Sequence, residues 1–122
     1  MRNILVVDDN EDMLDAMEIL IKYFGYNVTV ATSFESLIKT FDEYIPHAIV
    51  LDVILGIEDG RDICKVLKSD PKTSHVLIIL ISGRPEVLID HREYGADGVL
   101  HKPFDITKFQ GLLQDIDKNR LK

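Results

Sequence analysis

The sequence predicts an α/β domain in which helices cover both faces of a parallel sheet. Three observations carry that prediction. Short runs of aliphatic and β-branched residues do not alternate with polar ones, as expected of strands buried on both faces. Segments with helical spacing separate these runs, so strand and helix alternate five times, the pattern of a layered α/β fold. The chain has 122 residues, 46% hydrophobic and 29% charged, which is the size and composition of one globular domain spanning 1–122.

The elements follow in order. Ile4-Leu5-Val6-Val7 is the first strand. Met13, Met17, Leu20 and Phe24 then fall at i, i+4, i+7 and i+11, and predict a helix that Gly25 stops. Val28-Thr29-Val30-Ala31 is a weaker run, suited to a sheet edge. Phe34, Leu37, Ile38 and Phe41 predict the second helix, with Ser33 as N-cap and Pro46 beyond its end. Ala48-Ile49-Val50-Leu51 is the third strand. Ile63, Val66 and Leu67 form a shorter stripe that ends before Asp70-Pro71. Val76 to Ile81 is the fourth strand, and Pro85 opens a fourth helix running to Gly95. Val99-Leu100 is the last strand, and Ile106, Phe109, Leu112, Leu113 and Ile116 mark the fifth helix.

Composition narrows the function. The net charge of −7 argues against direct nucleic-acid binding, which needs clustered Lys and Arg. Residues 1–60 hold three basic and twelve acidic side chains, so the acidic half is either solvated surface or a cation site. Cys64 has no partner for an internal disulfide, which fits a reducing compartment, and its apolar neighbours place it half-buried on a helix. No apolar run approaches the roughly 20 residues of a membrane span, and no signal region opens the chain. A cytoplasmic protein without membrane contact is expected. His47, His75, His91 and His101 lack the spacing and the Cys partners of a zinc site.

Right-handed crossovers bring the C-terminal end of every strand to one edge of the sheet, where open α/β sheets bind ligands. The first strand ends in Asp8-Asp9, the third in Asp52, the fourth in Ser82 and the fifth in Lys102. Each alone reads as a cap, a turn or a strand exit, but five at the proper ends form a site. Three close carboxylates repel one another unless a cation joins them. A hard divalent ion with oxygen ligands, Mg²⁺ or Mn²⁺, suits the set. A metal, an ammonium and a hydroxyl together stabilise a phosphoryl group, and an aspartate can accept one.

Asp8-Asp9, the stretch from Asp52 to Gly60, Ser82-Gly83 and Lys102-Pro103-Phe104 together resemble the signature of the response-regulator receiver domain of two-component signalling. The match spans the chain in the right order. The resemblance implies a doubly wound, flavodoxin-like, five-stranded sheet in the order 2-1-3-4-5 with five helices. It implies Asp52 as phosphoacceptor, and Asp8, Asp9, Asp52 and the backbone carbonyl of Ile54 as Mg²⁺ ligands. Ser82 and Lys102 would bind the phosphoryl group, and the Lys102–Pro103 peptide would be cis. Ile54 and Arg84 would tune dephosphorylation, with the apolar Ile54 favouring a long-lived phosphorylated state. The implied donor is a sensor histidine kinase or a histidine phosphotransfer protein, and the implied reaction is a stoichiometric self-modification, not enzymatic turnover.

Two positions depart from the family's pattern. Gly56 stands where proline is common, so the loop from Val53 to Gly60 is expected to be freer before phosphorylation. Val99 stands where many members carry an aromatic switch residue, so the signal must travel otherwise, through backbone shift or through neighbours such as His101. An aspartyl phosphatase lacks support, since Asp8-Asp9-Asn10 is not Asp-x-Asp and 122 residues leave no cap. A flavin carrier would need a phosphate loop where Asp8 to Asp12 stand, and an unphosphorylated relative would lose one of the five residues. Only Asp117 to Lys122 follow the last helix, so an attached output domain is expected to be either absent or cut away from this sequence. Output is therefore expected through a protein partner docked on the second half, near Arg84, Arg92 and Lys108, by a monomer or weak dimer.

Overall fold

Five of the predicted runs pair side by side into one parallel sheet. In the computed structural model, which describes residues 2–118, they are β1 (Asn3–Val7), β2 (Asn27–Ala31), β3 (Ala48–Asp52), β6 (Leu77–Ser82) and β7 (Gly98–His101). Between β3 and β6 lie two further two-residue strands, β4 (Ile54–Leu55) and β5 (Glu58–Asp59), which pair antiparallel. The order β2-β1-β3-β6-β7 is the expected 2-1-3-4-5 when the sheet strands are counted in chain order. The weaker runs, β2 and β7, take the two edges, where one ladder of hydrogen bonds is lost. Residues 119–122 of the expected tail lie outside the described residues.

The helices are α1 (Glu11–Tyr23), α2 (Phe34–Thr40), α3 (Gly60–Ser69) and α4 (Ile106–Asp117). Their starts are specified locally: Asn10, Ser33, Asp59 and Asp105 each accept a backbone N–H from the first turn. The central strands alternate their side chains between two cores. Ile4, Val6, Val50, Ile79 and Ile81 pack with Leu14, Met17, Ile21, Phe109, Leu113 and Ile116 of α1 and α4. Leu5, Val7, Ile49, Leu51, Ile78 and Leu80 pack with Leu37, Ile63 and Leu67 of α2 and α3. Both faces are covered, which explains the unbroken apolar runs.

Two expectations need correction. The fourth helix does not form: Pro85 does open a helical turn and Gly95 does end the segment at φ +85°, but between them stand two 3₁₀ turns, Pro85–Val87 and His91–Tyr94. The reason is packing. Helices draw most of their stability from a buried face, and here Leu88 is the buried apolar anchor while Ile89 beside it is 75% exposed. In α3 the roles of two neighbours are exchanged, since Cys64 is fully buried whereas Val66 faces solvent. The loop from Val53 to Gly60 carries the β4–β5 ladder and a hydrogen bond from Gly56 N–H to Asp9 Oδ2 at 3.0 Å.

Candidate functional site

The strand ends deliver the five predicted side chains to one place. β1 leads into Asp8 and Asp9, β3 ends at Asp52, β6 ends at Ser82, and Lys102 follows β7. Asp8, Asp52 and Ser82 are buried, while Asp9 is exposed. Lys102 Nζ lies 2.6 Å from Asp52 Oδ2 and 3.0 Å from Asp8 Oδ2, so one ammonium binds two buried carboxylates.

Backbone groups fix the remaining carboxylate oxygens. Asn10 N–H donates to Asp8 Oδ1 and Ile54 N–H to Asp52 Oδ1, both at 2.9 Å. The strand end that carries Asp52 is tied to its neighbour by Val53 N–H to the Ile81 carbonyl at 3.0 Å. α3 starts against the same spot, where a Cβ on Gly60 would overlap the Asp52 carbonyl oxygen and lie 2.9 Å from its carbon. Glycine is required there by space alone.

Burial pushes the Asp52 carboxyl above its ordinary value, and repulsion from Asp8 adds to this, while the bonds from Lys102 and Ile54 N–H offset part of it. For Lys102 burial works downward, but its bonds to Asp52 and Asp8 outweigh it and hold the ammonium above its ordinary value. Carboxylate oxygens of Asp8, Asp9 and Asp52 all lie within 4.8 Å of one another. Three carboxylates against one ammonium leave the pocket short of positive charge. Hard oxygen donors converging at this distance fit a hard divalent cation.

The other predicted residues fall around this centre. Ser82 Oγ accepts from Arg84 N–H at 3.1 Å, and Lys102 N–H donates to the Ser82 carbonyl at 2.9 Å. The Lys102–Pro103 peptide is cis. Ile54 is 46% exposed at the mouth of the pocket. The Arg84 guanidinium is instead engaged by Glu86 at 2.9 Å, with both side chains in solvent. Val99 packs against the core on the α2–α3 side, and Arg92 and Lys108 are exposed. Sequence reading missed Arg61 and Lys68, which bind α3 to its surroundings. Arg61 grips Asp59 at 2.7 Å, and Lys68 grips Asp97 at 2.8 Å. An Asp-x-Arg spacing at a helix start was the available signal for the first, and the second joins distant segments.

Comparisons with known proteins point to one family. The response regulator receiver domain family matches residues 4–114. The chain is 30% identical over 121 residues to histidine kinase P4 of Formosa agariphila, covering 98% of this chain and 9% of that protein. It is 32% identical over 103 residues to the alkaline phosphatase synthesis transcriptional regulatory protein PhoP of Bacillus subtilis, covering 84% of this chain and 43% of that one. The chain thus spans less than half the length of either relative. A solved putative response regulator from Chloroflexus aurantiacus superposes with a TM-score of 0.87 at 28% identity, covering 94% of this chain and 96% of that one. Among the described residues no helix is long and apolar enough to cross a membrane. On the sheet order, the acidic pocket and the family match over most of its length, the chain belongs to the response regulator receiver domain family of two-component signalling.

Proposed function

We propose that Asp52 accepts a phosphoryl group from a phosphohistidine on a sensor histidine kinase or a histidine phosphotransfer protein. The observation that carries this reading is the meeting of Asp52, Asp8 and Lys102, with Nζ at 2.6 and 3.0 Å from the two carboxylates. As one Asp52 oxygen bonds to phosphorus, the bond from phosphorus to the histidine nitrogen breaks. The leaving imidazole keeps the electron pair and takes up a proton. The acyl phosphate later hydrolyses slowly, so the reaction is a stoichiometric modification of the chain rather than turnover.

Asp8, Asp9, Asp52 and the Ile54 backbone carbonyl would hold Mg²⁺ or Mn²⁺, which would neutralise charge on the phosphoryl oxygens. Lys102 supplies a point charge to those oxygens. Ser82 Oγ already accepts a backbone N–H, so its own proton is available to the phosphoryl group. Ile54 offers no polar group to an attacking water, which favours a long-lived phosphorylated state. With Ser82 and Lys102 drawn to the new charge, phosphorylation shifts the population between two conformations. The changed surface would be read in the cytoplasm by a protein partner on the face of Arg84, Arg92 and Lys108, by a monomer or weak dimer. We take residues 1–122 as one receiver.

The test is incubation with acetyl phosphate and Mg²⁺ followed by mass spectrometry. A phosphoryl adduct that hydroxylamine removes, and that Asp52→Asn lacks, is expected. No adduct on the wild type, or an undiminished one on the variant, overturns the proposal.

A further inference from the structure

Asp52 is linked to a distant surface segment by an unbroken chain of contacts. Its Oδ1 accepts from Ile54 N–H at 2.9 Å. Ile54 pairs with Asp59 across the β4–β5 ladder. Both Asp59 carboxylate oxygens are held by Arg61, from Nε at 3.1 and 3.2 Å and from Nη2 at 2.7 Å. The Arg61 guanidinium carbon then stands 5.6 Å from the centre of the Tyr94 ring, within cation–π range. Tyr94 ends the second 3₁₀ turn.

The far end of this chain lies in an irregular segment between β6 and β7. Residues 85–95 contain no α-helix, and Ile89 is largely in solvent, the features of a locally soft element. The segment is also pinned to α3 rather than free. Lys68 pairs with Asp97 at 2.8 Å and donates to the Val76 carbonyl at 2.6 Å. Its aliphatic stem packs so closely on Gly95 that a Cβ there would lie 2.9 Å from Lys68 Cγ. Lys68 is the fixed anchor, and Arg61, at the other end of α3, is the link to the acceptor loop.

Phosphorylation changes the near end of the chain. An acyl phosphate replaces the carboxylate with a mixed anhydride whose carbonyl oxygen is neutral, so the bond from Ile54 N–H loses its charge assistance, which is roughly half its strength. The β4–β5 ladder is only two residues long on each strand and follows its attachment points. We propose that Arg61 transmits the state of the acceptor loop to Tyr94 and its 3₁₀ turn, in a chain whose Val99 has no ring to swing; this rests on Asp52 being the phosphoacceptor. Valine at position 99 removes one route, and the Asp59–Arg61–Tyr94 contacts supply another.

The chain has four tyrosines and no tryptophan, so 3-fluorotyrosine labelling gives four ¹⁹F signals, with Tyr94 assigned through Tyr94→Phe. Spectra are recorded before and after treatment with acetyl phosphate and Mg²⁺, and the phosphoryl mass is measured on the same samples. In the wild type the Tyr94 signal moves while that of Tyr23, across the sheet on α1, does not. In Arg61→Met the movement falls by at least half at equal phosphorylation. Arg61→Lys, a milder change that keeps the charge beside Asp59 but loses the guanidinium over the Tyr94 ring, also moves less than the wild type. A Tyr94 signal that stays still in the phosphorylated wild type, or moves fully in either variant, overturns the inference. Absence of the phosphoryl mass in the wild type overturns the assignment of Asp52 itself, and this inference with it.

Discussion

Lys102 and Asp52, fifty residues apart in sequence, meet at 2.6 Å beneath the surface of the strand-end pocket. The same ammonium reaches Asp8 at 3.0 Å, so among the described residues it is the one cation paired with both buried carboxylates. Removing the cation from this set leaves two buried carboxylates uncompensated, at a cost of about 3–5 kcal/mol. Lys102→Met is therefore expected to lose about that much stability in denaturant unfolding. Millimolar Mg²⁺ should restore part of the loss, because a second cation takes up the unpaired carboxylates. A loss under about 1 kcal/mol with no response to Mg²⁺ would contradict the pairing.

Asp52→Asn should act in the opposite direction. Burial raises the Asp52 pKa above its ordinary value of 3.8, so the folded protein holds that proton more tightly than the unfolded chain. The group favours folding below the ordinary value, and that contribution is lost as pH rises through the folded-state pKa. Asparagine keeps an acceptor for Ile54 N–H and bears no charge. In Mg²⁺-free buffer the variant is expected to melt higher than the wild type at pH 7, with the gap narrowing toward pH 4. Thermal melts across that range check the sign, and a gap that widens in acid refutes it.

The sheet and the pocket were both legible in the sequence because burial on two faces leaves a period-free apolar run. Ile4–Val7, Ala48–Leu51 and Leu77–Ile81 announce themselves in that way, and the polar residue that ends each run lies at the site. The segment after Pro85 was not legible, since Val87, Leu88 and Ile89 are adjacent and fit no single face. Capping and stop signals were correct at both ends, but only packing decides what forms between them. The β4–β5 ladder was hidden as well, because two-residue strands have no period to read. Arg61 and Tyr94 are joined by tertiary contact alone.

Two glycines near Asp52 should respond differently to alanine. At Gly60 the obstacle is the Asp52 carbonyl, backbone that cannot step aside, so Gly60→Ala is expected to cost about 3 kcal/mol, the upper end for overpacking. At Gly56 the nearest atom is 4.0 Å away but φ is +63°, so the cost is the smaller one of left-handed backbone, about 1 kcal/mol. Denaturant midpoints of the two variants, measured side by side, check the ranking. Equal losses would show that space at Gly60 is not limiting.

Cys64 is fully buried on α3, and burial pushes its thiol up to about 12. The thiolate is the reactive form, so the folded protein should resist iodoacetamide at pH 8 and react once unfolded. Mass spectrometry with and without denaturant reads this directly. Rapid native alkylation would indicate an opening of α3 from the sheet.

Ile54 is 46% exposed beside Asp52, close enough to shape the approach of water but with no group to orient it. Ile54→Asn introduces an amide that can hold an attacking water. It is expected to shorten the life of the phosphorylated state about tenfold, less than the hundredfold or more of a positioned general base. Arg84, the other residue assigned to this control, is drawn away by Glu86 at 2.9 Å. Glu86→Gln weakens that pairing and frees the guanidinium to turn toward the phosphoryl oxygens, so the same decay should slow. Both rates follow from loss of the phosphoryl mass after acetyl phosphate is removed, in buffer containing Mg²⁺. Decay no faster in Ile54→Asn would mean that water is admitted by another route, and decay unchanged in Glu86→Gln would leave Arg84 outside the reaction.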